Sequence, residues 1–171
     1  MHSRILGIMS NKDVESAKQY EEELKLPLWS FEENVPYFAD YVGETDDFEA
    51  DFDWVVECLQ VVSKKFIANK ETHSIKFLKG FKEEYFKDRY DKIKEFFNNP
   101  ASLKTFCGIA SETKNKYLVG DELYKMQSLI EKKYSFYVAD LDSAYQTLDS
   151  FIRNADEDEE YVVFDSIDYH Y

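Results

Sequence analysis

The sequence predicts an α+β fold in which a small, mainly antiparallel sheet, including the N- and C-terminal strands, packs against several amphipathic helices. Three observations carry this expectation. Apolar residues recur at helical spacing over several segments, most clearly from Phe81 to Asn98. Runs rich in strand formers stand near both ends, Ser3 to Ser10 and Tyr161 to Tyr169. Only 5 Gly and 3 Pro occur in 171 residues, too few turn formers for a sandwich or barrel that reverses every few residues. A chain of this length, with 14 Phe and 13 Tyr, has enough apolar surface to fold without disulfides or a structural metal, so one domain over residues 1–171 is expected.

Ser3 to Ser10 holds Ile5, Leu6, Ile8 and Met9 and reads as the first strand. Val14, Ala17, Tyr20 and Leu24 follow at helical spacing, with Asn11 or Asp13 as the cap and Pro27 limiting the helix. Leu26 to Tyr41 carries two prolines and several aromatics without a period, which predicts a packed irregular loop with a turn near Tyr37 to Val42. From Glu49 to Val62, Phe52, Val55, Val56, Leu59 and Val62 form one apolar face. Trp54, Cys58 and Val61 form a second beside it, the pattern of a core helix.

Ile75 and Phe77 alternate with Ser74 and Lys76, predicting a half-exposed strand within His73 to Lys79 that Gly80 ends. Phe81, Tyr85, Phe86, Tyr90, Ile93, Phe96 and Phe97 then define the clearest helix. Asn99-Pro100 opens another short helix, which Gly108 ends, and Asp121 precedes a further one ending in Lys132-Lys133. Tyr134 to Ala139 reads as a strand, Thr147 to Asn154 as a helix, and Tyr161 to Tyr169 as the last strand. There is no linker and no recognisable internal repeat.

Charge is the most informative property. The formal net charge of −14 is unevenly spread: residues 11–60 hold 15 acids against 3 bases, residues 61–139 hold 10 against 16, and residues 140–171 hold 10 against 1. Such a surface repels nucleic acid and anionic lipid and attracts basic proteins. No stretch reaches the roughly 20 apolar residues of a membrane span. The opening residues are too few for a signal-peptide core, so a cytoplasmic protein is expected. Cys58 and Cys107 sit in apolar helical patterns without metal spacing and read as buried thiols.

No catalytic signature emerges. The glycines are scattered rather than clustered around a phosphate, no GxSxG elbow occurs, and no cofactor is implied. His2, His73 and His170 lie far apart, although His2 and His170 meet if the terminal strands pair; exposed or locally bonded imidazoles are the plainer reading. Asp51 and Asp53, two apart on a helix, point to different faces and make a poor dyad. Asp140-Leu141-Asp142-Ser143 lacks the Gly and Glu of a calcium loop. In the basic middle block, lysines alternate with acids as on an ordinary salt-bridged helix face.

The acidic runs are what remain as candidate partner-binding residues: Asp46, Asp47, Glu49, Asp51, Asp53 and Glu57, and Asp156, Glu157, Asp158, Glu159 and Glu160. On one helix the first run would extend about 16 Å, near one charge per 3 Å, against the 3.4 Å axial spacing of phosphates along one DNA strand. The plain alternative is that these acids keep an aromatic-rich domain in solution.

In small size, acidity and aromatic content the chain resembles phage or mobile-element proteins that inhibit restriction or CRISPR enzymes by imitating DNA, and immunity proteins of nuclease toxins. That resemblance implies a non-enzymatic inhibitor, monomeric or homodimeric, that docks on a basic surface of a nucleic-acid enzyme and binds neither nucleic acid nor membrane. The alternatives are an accessory domain, dimeric through Trp29, Phe31, Tyr37 and Phe38, and an enzyme with a concave carboxylate site.

Overall fold

The computed structural model describes residues 2–20, 23–35, 39–99, 104, 118–130, 136–142 and 144–170. In chain order these form β1 (His2–Ser10), α1 (Asn11–Ala17), α2 (Leu28–Asn34), β2 (Tyr41–Glu44), α3 (Phe48–Val62), β3 (Phe66–Asn69) and β4 (Ser74–Phe77). They continue with α4 (Phe81–Asn98), α5 (Leu118–Ile130), β5 (Tyr137–Ala139), β6 (Tyr145–Thr147), α6 (Leu148–Asn154) and β7 (Glu160–His170). The helix expected to open at Pro100, Cys107, Lys132-Lys133 and the dimer candidates Tyr37 and Phe38 lie outside the described residues. Among the described residues no helix is long and apolar enough to cross a membrane.

The fold is α+β, as the sequence predicts. Seven strands form one sheet in the order β3-β4-β7-β1-β5-β6, with β2 paired to the far end of β7. Every pairing is antiparallel except β1 with β5. The terminal strands are central neighbours, running from His2 opposite His170 to Ser10 opposite Tyr161.

One irregularity decides which side chains face which layer. The β1/β7 register shifts between Gly7 and Ile8, leaving Phe164 as an extra residue on β7 and reversing the strand's alternation. Val163 therefore joins the core under α3, α4 and α6, with Leu6, Phe52, Phe77, Phe81 and Ile152, whereas Ile167 and Tyr169 join the opposite core with Ile5, Leu26 and the α2 residue Phe31. Gly7 leaves room beside the bulge for the Phe164 ring, which a Cβ there, at 2.7 Å, would force to shift.

Several elements depart from expectation. Residues 28–34 are helical, since Pro27 sits just before the first turn, where its missing N–H costs nothing. Helix α1 stops at Ala17 and is capped by Ser10, whose side chain accepts from the Asp13 N–H. Strand β4 is not half-exposed: flanked by β3 and β7, it buries Ser74, Ile75 and Phe77. Helix α3 is not apolar all round, because Trp54, Cys58 and Val61 are exposed, which corrects the reading of Cys58 as a buried thiol. Gly80 adopts φ +83° and sits at the N-terminus of α4, which spans the expected residues.

Candidate acidic interface

The first acidic run begins as a cap. Asp47 accepts from the Ala50 N–H at 3.0 Å, and Asp46, Asp47 and Glu49 place negative charge at the positive end of α3. Glu49, Asp53 and Glu57 then recur every fourth residue, one turn apart on the same side of the helix. Asp53 pairs with Lys70 at 2.6 Å and Glu49 meets the His73 ring at 2.8 Å, so part of this stripe is already matched.

Asp51 does not belong to that surface. It is 3 % exposed, and its carboxylate accepts from Arg4 Nε at 2.5 Å, Thr45 Oγ1 at 2.5 Å and Ser166 Oγ at 2.8 Å. Arg4 also pairs with Asp168 and lies 5.7 Å from the centre of the Trp54 ring. Three acceptor contacts compensate the buried carboxylate and tie α3 to β1 and β7. Arg4, the lone base among the first eleven residues and set in an apolar strand, was the sequence signal that a carboxylate must reach it. With Asp51 inside, charges along α3 come about every 6 Å, roughly half the density of a DNA strand.

The second run is a turn. Asp158 takes φ +70°, and the Glu157 carboxylate accepts from the backbone N–H groups of Gly80 at 2.9 Å and Lys82 at 3.1 Å. Glu157 thereby caps α4 from outside the helix, and those two N–H groups hold its carboxyl below the usual glutamate range. Glu160 accepts from Ser74 Oγ at 2.6 Å, and Glu159 pairs with Lys12 at 3.2 Å. Asp156 and Asp158 are exposed.

The structure brings this turn together with acids that spacing alone left undistinguished. A hollow of about 770 Å³ opens where the parallel strands β1 and β5 end, floored by Ile8, Val138 and Phe151 and bordered by Asp13, Asp140, Asp142 and Glu159. An adjoining hollow of about 420 Å³ shares Lys12 and Glu159 and adds Glu157, Asp158 and Glu160. Asp140 is fixed by accepting from the N–H groups of Asp142 at 3.1 Å and Ala144 at 3.2 Å. Burial raises the Tyr161 phenol in the wall above its usual range. Seven carboxylates and one lysine thus line two adjoining hollows, with Glu157, Glu159 and Glu160 already bonded within the fold. Among the described residues no group of three or more metal-ligating side chains converges.

Comparison with protein-family models, with curated proteins and with solved structures gave no match in any of the three.

Proposed function

We propose that this chain is a non-catalytic interaction domain whose acidic surface docks onto a basic surface of another protein, a nucleic-acid enzyme being the partner class that its charge suits best. The observation that carries this reading is the concavity: seven carboxylates and one lysine line two adjoining hollows, so a basic segment gains both shape and charge there. The reading shifts the emphasis from the Asp46 to Glu57 run to the Asp156 to Glu160 turn and its neighbours. Fewer of the first run's charges reach solvent unmatched, which weakens strand-like DNA imitation by α3 alone.

Pull-down from host lysate at low and high salt tests it, using the wild-type protein and two charge-neutralised variants. Replacing Asp13, Asp140, Asp142 and Glu159 with their amides should abolish capture of a basic protein, while amides at Asp46, Glu49, Asp53 and Glu57 should weaken it severalfold. Capture that ignores salt, or that survives both sets of changes, rules the reading out. The dimeric alternative keeps Trp29, which is 67 % exposed, but loses Phe31 to the core at 1 %.

A further inference from the structure

One end of the β1/β7 ladder carries a feature outside the acidic surface. His2 and His170 are directly opposite in register, and their ring centroids stand 5.0 Å apart. Each imidazole is held through the same nitrogen. His2 Nδ1 lies 2.8 Å from the Asp168 carboxylate, and His170 Nδ1 lies 2.6 Å from that of Asp40. An ionised carboxylate only accepts, so Nδ1 of each ring carries the proton and, in the neutral imidazole, Nε2 keeps its lone pair. Both side chains reach solvent, at 63 % and 38 % exposure.

Both carboxylates belong to residues held at this end of the sheet. Asp168 is fixed by Arg4, whereas for Asp40 it is the backbone that is tied to the sheet, its N–H donating to the His170 carbonyl at 3.0 Å. A carboxylate on the far nitrogen is the arrangement that orients metal-binding histidines and raises their basicity. A metal about 2.0–2.1 Å from each nitrogen needs the two donors on the order of 3–4 Å apart, a separation compatible with ring centroids 5.0 Å apart.

We propose that His2 and His170 form a two-imidazole site for a divalent transition ion of the zinc, nickel or copper type, bound through both Nε2 atoms with water in the remaining positions. Imidazole pairs favour these ions over magnesium or calcium, which seek oxygen. The bound ion would cross-link the terminal strands and stabilise the folded chain by an amount that grows with the logarithm of the free metal concentration above its dissociation constant.

Titration calorimetry with nickel chloride on untagged protein in a non-chelating buffer, paired with thermal melts, tests the site. One nickel per chain and a raised melting temperature are expected, with no shift from magnesium. His2→Gln and His170→Gln should each weaken nickel binding at least tenfold, and Asp40→Asn, which removes an orienting carboxylate, about tenfold. Cys58→Ser should leave it unchanged, separating this site from the exposed thiol. Binding that persists in both glutamine variants, that is lost with Cys58→Ser, or that magnesium reproduces would overturn the proposal. Circular dichroism establishes that each variant remains folded.

Discussion

The two acidic runs look alike in sequence and behave differently in the fold. On α3 the helix turns successive residues through about 100° each, so Asp51 faces the core while Glu49, Asp53 and Glu57 share the other side, where Asp53 meets Lys70 and Glu49 meets the His73 ring. In the turn from Asp156 to Glu160 the backbone reverses, and the same residue types cap a neighbouring helix, bond a neighbouring strand and rim a hollow. Charge density in a sequence therefore does not convert directly into charge density on a surface. A helix disperses a run of like charges, and a turn gathers it.

The sharpest test of that contrast lies inside α3. Asp51→Ala leaves Arg4 with Asp168 as its one carboxylate partner and should cost about 3 kcal/mol in urea unfolding, the scale of breaking a buried pair. Asp53→Ala, two residues away and paired on the surface, should cost less than about 1 kcal/mol. Equal effects would place both residues in the same environment and erase the distinction.

In the turn, Glu157→Gln should lower the melting temperature by an intermediate amount, and its effect should depend on pH. Backbone N–H groups hold the Glu157 carboxyl below its ordinary value. Its stabilisation is therefore present above the ordinary glutamate value and lost as pH falls through the folded one. Asp165 works in the opposite direction, since burial raises its carboxyl above the usual range despite N–H groups from Leu26 and Ser166. Its contribution is full below the ordinary aspartate value and lost as pH rises through the folded one. Melting profiles from pH 3 to 7 should flatten in opposite senses for Glu157→Gln and Asp165→Asn. The smallest effect is chemical: the exposed Cys58 should react with a thiol reagent in the native protein without changing the melting temperature by more than a degree or two.

The long elements were legible in the sequence. Helix α4 spans its expected residues because seven aromatic and aliphatic side chains keep one period there, and both terminal strands were visible as apolar runs, whereas their pairing, on which the meeting of His2 with His170 depends, is specified by neither run. Strands β2, β3 and β6 were not, because three or four residues carry too little pattern of their own and become strands through their partners. The candidate site was legible only in part. The Asp156 to Glu160 run was visible, but its juxtaposition with Asp13, Asp140 and Asp142 depends on β1 lying parallel to β5, a pairing between residues more than 120 apart. The inward turn of Asp51 was likewise set by Arg4, 47 residues upstream.

The order in which the sheet can assemble follows from β7. This single strand pairs with β1, β4 and β2, and without it the β3–β4 hairpin and the β1–β5–β6 group share no ladder. During synthesis at about 5–20 residues per second, β1 has no antiparallel partner until Glu160 to His170 has left the ribosome, so one hydrogen-bonding edge of β1 waits on the last described strand to appear. Loops this long must close before their contacts are rewarded, so the chain should fold slowly for its size and depend on its C-terminal strand from the first productive step.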